Sequence, residues 1–149
     1  MNNLEPIKQT KLYGLGVYLN ELIRLYKKNI YPNKILLSGQ KGIGKSTLAF
    51  HFINYVLTLN ENFKYDTQNF NINIESSEFK TIQNKSNTNL ISIDVNTENK
   101  TIDINQIRQL IISLNKSSFN QKPRFVLIDN IELLNINSIN ALLKVLEEP

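Results

Sequence analysis

Apolar residues recur every three or four positions in four stretches of the chain, which is the spacing of one face of an α-helix. The first stretch predicts a helix from about Lys11 to Lys28, and the second predicts one from Thr47 to Leu59. A third helix should begin after Asp103, with Gln106 completing a capping box. The fourth stretch predicts a helix from about Ser138 to Glu148.

Three short apolar runs lie between these helices and predict β-strands, at Lys34–Ser38, Leu90–Val95 and Arg124–Ile128. Strands that alternate with helices usually form a parallel sheet covered by helices on both faces, so we expect an α/β fold. Residues 60–89 are polar, rich in Asn and without a period. We therefore expect this segment to be a surface excursion, with no element assigned to it.

The most informative motif stands between the first strand and the second helix, where Gly39 to Ser46 read G-x-x-x-x-G-K-S. Glycines allow the tight turn, and the N–H groups of the turn and of the following helix attract phosphate. In this motif the Lys side chain reaches the β- and γ-phosphates and the Ser hydroxyl binds Mg²⁺. The predicted nucleotide-binding positions are Gly39, Gln40, Lys41, Gly42, Ile43, Gly44, Lys45, Ser46 and Thr47.

Asp129 ends the third predicted strand and is a second candidate for the same site. A carboxylate in this place holds Mg²⁺ in nucleotide-binding proteins with this loop. An Asp that simply opens a turn after a strand is the alternative. With the complete loop upstream, we predict that Asp129 and Ser46 share the metal.

Composition narrows the remaining classes of protein. The 149 residues carry a formal net charge of +4 and include no cysteine, which excludes disulfides and thiolate metal sites. No apolar run is long enough to span a membrane, and the first residues lack a signal-peptide pattern, so the cytoplasm is the expected location. His51, the single histidine, has no metal-ligand pattern around it and is predicted to be a packing or surface residue.

The end of the chain carries a family resemblance. Asn140–Pro149 resembles the N-A-L-L-K-x-L-E-E-P signature of bacterial DNA polymerase III clamp loader subunits, which are AAA+ proteins. Val126–Asn130 precedes it at the family's distance, and Asp103–Leu110 is similar to the segment before that strand. The resemblance runs from about Leu12 to Pro149 and leaves out residues 60–89.

The resemblance implies a P-loop NTPase fold of AAA+ type, with ATP and Mg²⁺ as cofactors. It also implies assembly with the delta and tau/gamma subunits of the clamp loader and, through that assembly, action on the sliding clamp and primed DNA. It implies no membrane partner. Many relatives carry a Cys-ligated zinc module after the loop helix; this chain has no Cys, so no zinc is implied.

One position separates the branches of the family. Hydrolytic relatives carry a Glu directly after the strand-ending Asp, and here that position is Asn130. An amide cannot accept a proton, so the similarity is to the delta-prime branch, with ATP bound and poorly hydrolysed. Glu132 is a possible replacement for the missing base. The alternatives are a hydrolytic tau/gamma-type subunit, an unrelated P-loop ATPase, and a structural subunit that binds no nucleotide.

The family's pattern also gives an expectation for domain organisation. Residues 1–149 would form an N-terminal AAA+ domain that is incomplete, with residues 60–89 as a polar insertion. The chain stops before the family's fourth and fifth strands. Because the fourth strand lies between the first and third, we expect a gap at the centre of the sheet and weak hydrogen-exchange protection of both Ile35–Leu37 and Phe125–Ile128.

Overall fold

The computed structural model describes residues 5–95 and 100–147. The chain divides into two compact units, an N-terminal unit of Met1–Asn87 and a C-terminal unit of Thr88–Pro149. Both contain α-helices, and the C-terminal unit contains a parallel sheet, so the predicted α/β class is confirmed at this level.

Helix α2 is the centre of the N-terminal unit. The elements of this unit are a 3-10 turn at Pro6–Lys8, α1 at Gly16–Lys27, α2 at Lys45–Leu57 and α3 at Ser77–Gln83. Helix α2 contacts α1, α3 and the 3-10 turn. Every residue from Phe50 to Leu57 is buried, so α2 is a core helix without a solvent-facing stripe in that stretch.

Residues 60–87 of the polar segment belong to this unit and contribute to its core, so the description of 60–89 as a surface excursion was wrong. Asn71 forms an antiparallel bridge with Lys11, and the Ile72 N–H donates to the Thr10 carbonyl at 2.8 Å. The segment also contains α3 and buries four apolar side chains, Tyr65, Ile72, Phe79 and Ile82. These side chains reach the core through turns and one short pairing, which produce no helical or strand period in the sequence.

The first predicted strand, Lys34–Ser38, is not a strand in the structure. A β-strand is stabilised by a neighbour that supplies N–H and C=O groups along its edge, and the described residues contain no such partner for 35–38. Leu36 is 74% exposed, so the run is not a buried one either. The prediction of a strand at Lys34–Ser38 was therefore wrong, because an apolar run alone does not supply the pairing that a strand needs.

The C-terminal unit is built around two strands in parallel. Its elements are β1 at Leu90–Ile93, α4 at Ile104–Leu114, β2 at Phe125–Ile128, a 3-10 turn at Ile131–Leu133 and α5 at Ile136–Glu147. Leu90 pairs with Phe125, and the register runs to Ile93 opposite Ile128. These strands and helices confirm the predicted ones to within two residues at each end described, while Glu148 and Pro149 lie outside the described residues.

Helix α4 connects the two strands and is fixed at both ends. Asp103 accepts a hydrogen bond from the Gln106 N–H at 3.0 Å, and Gln106 Oε1 accepts one from the Asp103 N–H at 3.0 Å, which confirms the capping box. At the other end the Arg124 guanidinium donates to the Ser113 and Lys116 carbonyls at 2.6 and 2.8 Å. The apolar face of α4 packs in a core of five buried residues, Ile93, Ile102, Ile107, Leu110 and Leu142.

Candidate functional site

The loop before α2 has the backbone that its glycines predict. Gly42 and Gly44 have φ angles of 82° and 101°, a region that residues with a Cβ rarely adopt. Gly44 is the N-cap of α2, and the helix begins at Lys45. An added Cβ at Gly44 would lie 3.2 Å from Leu15 Cδ1, so its glycine also serves close packing.

Lys45 is folded back on this loop. Its Nζ donates to the Gly39 carbonyl at 2.8 Å and to the Gln40 carbonyl at 2.9 Å. Ser46 and Thr47 lie in the first turn of α2 and are half-buried. The nine positions that the motif singles out are thus gathered in one turn and the first turn of one helix, with the ammonium group held above the loop carbonyls.

His51 anchors α2 from inside the N-terminal unit. Its Nε2 lies 2.9 Å from the Gln9 carbonyl and its Nδ1 lies 2.7 Å from the Tyr65 hydroxyl. Because a carbonyl only accepts, Nε2 carries the proton and Nδ1 accepts from Tyr65. Burial lowers the pKa of His51 to about 4, so the ring is neutral near pH 7. His51 was predicted to be a packing or surface residue, and the structure shows that it is a buried packing residue.

The polar residues of the C-terminal unit meet at the carboxyl ends of its strands. The Asp129 N–H donates to the Ile93 carbonyl at 2.8 Å, which extends the ladder by one residue. Asp129 Oδ1 accepts from the Asn130 N–H at 2.8 Å. The Asn130 side chain in turn donates to Asp94 Oδ1 at 2.8 Å. Asp94 therefore belongs to this edge, although sequence reasoning did not single it out.

A signal for Asp94 was present in the sequence. Asp94 follows the apolar run Leu90–Ile93 just as Asp129 follows Phe125–Ile128. Since adjacent parallel strands present their carboxyl ends at one edge, two strand-ending carboxylates are expected side by side. Glu132, the possible replacement base, lies in the exposed 3-10 turn after Asn130 and forms no hydrogen bond with Asp129 or Asn130 in the described structure.

The side chains that could bind a metal are not gathered into a cluster in the described part of the chain. Among residues 5–95 and 100–147, no group of three or more His, Cys, Asp or Glu could hold a metal ion. Mg²⁺ in phosphate sites uses one or two protein oxygens together with phosphate oxygens and water, and the Ser46 hydroxyl of the N-terminal unit and the Asp129 carboxylate of the C-terminal unit are each an oxygen of that kind. None of the described helices has the length and apolar character needed to cross a membrane.

The structure is that of an α/β protein with parallel strands and a glycine-rich loop at the start of a buried helix. A family model described as DNA polymerase III, delta subunit, matches residues 16–149. The chain therefore belongs to the DNA polymerase III delta subunit family.

Two relatives agree with this assignment. The chain is 27% identical over 129 residues to DNA polymerase III subunit delta' of Buchnera aphidicola, covering 87% of this chain and 37% of that protein. It is 28% identical over 143 residues to DNA polymerase III subunit gamma/tau of Mycoplasma genitalium, covering 96% of this chain and 22% of that protein. The chain thus spans well under half the length of both relatives.

Proposed function

We propose that this chain is the ATP-binding part of a clamp loader subunit of the delta-prime type, an AAA+ protein of the cytoplasm. The observation that carries the proposal is the loop at 39–46, in which two glycines with positive φ lead directly into α2 and Lys45 lies over the loop. Membership in the DNA polymerase III delta subunit family supports the proposal. The partners that we propose are delta, tau/gamma, the sliding clamp and primed DNA. Residues 1–149 would be its N-terminal domain, with 60–89 as an insertion.

In this proposal the loop N–H groups and the start of α2 bind the phosphates, because both present partial positive charge to an anion. Lys45 exchanges its two carbonyl contacts for phosphate oxygens. The Ser46 hydroxyl would hold Mg²⁺, and the Asp129 carboxylate is the second metal ligand that we propose. The protein would thus orient the phosphates of ATP and offset their negative charge.

Hydrolysis would be slow. Asn130 stands where a hydrolytic subunit carries Glu, and its amide is already committed to Asp94 at 2.8 Å. Losing a general base commonly lowers a rate by about 10²–10⁴-fold. The Mycoplasma relative supports the alternative of a hydrolytic tau/gamma-type subunit. Asn130 counts against that alternative, because its amide cannot act as a general base.

The test is the affinity of the full-length protein for Mg²⁺ and a fluorescent ATP analogue. Lys45→Ala removes a charge-assisted hydrogen bond of about 1.5–3 kcal/mol, so we expect a roughly tenfold to hundredfold weaker Kd. Lys64→Ala is the matched control, because Lys64 is an exposed lysine of the same unit, outside the loop. Equal affinities of the wild type and Lys45→Ala would contradict the proposal.

A further inference from the structure

A cleft of about 240 Å³ lies within the N-terminal unit, between the turn that follows α2 and the start of α3. It is lined by residues 61–63 on one side and 75–77 on the other, and the loop at 39–46 does not take part in it. Sites for whole small molecules usually measure about 300–1,000 Å³. The size of this cleft therefore suits one long side chain together with its peptide group.

Both walls of the cleft are held by the chain's own hydrogen bonds. Thr58 at the end of α2 accepts the Glu61 N–H at its carbonyl at 3.0 Å and the Tyr65 N–H at its Oγ1 at 3.1 Å. On the other wall, Asn73 Oδ1 accepts the Glu75 N–H at 2.9 Å. The two turns are thus fixed before any partner arrives, which lowers the entropy cost of binding.

The lining combines an aromatic ring with two carboxylates. Phe63 is 48% exposed, and Glu61 and Glu75 contribute the acidic groups. Glu75 Oε2 lies 3.5 Å from Lys80 Nζ, and both of these side chains are more than half exposed. An ion pair of this kind contributes little in water. A cation that enters the cleft can therefore replace Lys80 at Glu75.

A buried hydroxyl group adds an independent requirement. Ser76 lines the cleft and is only 2% exposed. Its Oγ accepts the Phe79 N–H at 3.3 Å, and the hydroxyl hydrogen has no acceptor among the described residues. Buried hydroxyl groups usually donate as well as accept. The ligand that fits this lining thus carries a hydrogen-bond acceptor as well as a cation, and a basic residue within a polypeptide supplies both.

We propose that this cleft binds an arginine side chain of a partner protein. The guanidinium stacks on Phe63 and bonds to the Glu61 and Glu75 carboxylates, and a peptide carbonyl of the partner accepts from Ser76. Arginine fits better than lysine, because its planar group stacks on an aromatic ring and gives two parallel N–H bonds to a carboxylate. The proposal does not depend on nucleotide binding, since the cleft and the loop share no residue.

The experiment is an NMR titration of the ¹⁵N-labelled full-length protein with Nα-acetylarginine methylamide. We expect saturable shifts of the amide signals of residues 61–63 and 75–77. The citrulline analogue has nearly the same shape without the charge, so it should bind at least about tenfold more weakly. The lysine analogue keeps the charge without the planar group, and we expect it to bind at least about threefold more weakly.

Two substitutions separate the charge from the aromatic ring. Glu75→Gln removes one carboxylate and should weaken Kd about threefold to tenfold. Phe63→Leu keeps an apolar wall without the ring and should weaken it about twofold to fivefold. The matched controls lie on α1: Glu21→Gln changes an exposed glutamate that is likewise ion-paired, with Arg24, and Tyr18→Leu changes an exposed aromatic residue. Both controls should leave Kd unchanged.

Four results would overturn the proposal. They are equal binding of the arginine and citrulline compounds, equal binding of the arginine and lysine compounds, shifts centred outside residues 61–63 and 75–77, and unchanged affinity in both Glu75→Gln and Phe63→Leu. Amide spectra that match the wild type away from the cleft show that each variant is folded, so a loss of affinity then reports the cleft itself.

Discussion

The two units of this chain are stabilised in different ways. The N-terminal unit surrounds α2, which is buried along most of its length and carries a neutral histidine bonded to Gln9 and Tyr65. The C-terminal unit packs aliphatic side chains of α4 and α5 near two parallel strands. Both cores are mainly apolar, and the N-terminal core differs in containing a buried titratable ring whose hydrogen bonds must be satisfied inside it.

This difference predicts that the N-terminal unit is the one sensitive to pH. His51 has a pKa of about 4 in the folded protein and 6.5 as its ordinary value. Between these values the unfolded chain binds a proton that the folded unit does not, so stability is complete above pH 6.5 and falls as the pH drops toward 4. The loss reaches about 3 kcal/mol, at about 1.4 kcal/mol per pKa unit.

Hydrogen exchange of α2 and α4 amides at pH 7 and pH 5 measures this in each unit separately. Protection of α2 should fall, and protection of α4 should change less, because the chain's single histidine lies in α2. His51→Gln removes the titrating ring and keeps a donor for the Gln9 carbonyl. An unchanged pH dependence in that variant would show that another group is responsible.

The same difference explains what could be predicted from the sequence. In the C-terminal unit, β1, α4, β2 and α5 follow from local periodicity, and Asp103 with Gln106 marks the helix start correctly. These features are encoded within each element, so a pattern of neighbours is enough to find them.

The N-terminal unit was predicted less well because its structure depends on distant pairings. Residues 10–12 bond to residues 70–72, and Tyr65 reaches His51 across 14 positions of sequence. Neither contact leaves a period in the sequence. The loop before α2 is the exception, because its glycines are needed for the local backbone conformation. Lys34–Ser38 is the opposite case, since its apolar run predicted a strand but no described strand pairs with it.

A close backbone approach gives a second way to test the N-terminal unit. A Cβ added at Gly16 would lie 2.6 Å from Cε2 and Cζ of the Phe70 ring. Phe70 also has a φ of 53°, a conformation unusual for a bulky residue. We expect Gly16→Ala to destabilise this unit by about 1–3 kcal/mol through overpacking, measured by urea unfolding.

Gly14→Ala is the control for this substitution. Gly14 has a φ of 71°, but no other atom lies within 4 Å of an added Cβ, so only backbone strain is introduced. Phe70→Leu removes the outer ring atoms, including Cε2 and Cζ. It should therefore recover stability in the Gly16→Ala background and not in the Gly14→Ala background. Equal recovery in both would mean that the contact between residues 16 and 70 is not the cause.

The smallest expected effect compares one helix cap in each unit. Ser76 Oγ accepts only the Phe79 N–H at 3.3 Å at the start of α3, whereas Asp103 and Gln106 bond each other reciprocally at the start of α4. Ser76→Ala and Asp103→Ala should each cost about 1 kcal/mol of unfolding free energy. Asp103→Asn should be nearly neutral, because Asn caps helices as well as Asp does.

The two substitutions should differ more in which residues lose hydrogen-exchange protection than in their cost in unfolding free energy. Gln106 also donates to the Asp94 carbonyl, so loosening it in Asp103→Ala frees the end of β1 as well as the first turn of α4. Hydrogen exchange should therefore show lower protection at Val95, whose N–H is bonded to Asp94, and in α4. Ser76→Ala should affect α3 alone. A purely local effect of Asp103→Ala would show that Asp94 keeps its position without α4, so that Val95 and Asn130 are enough to hold it.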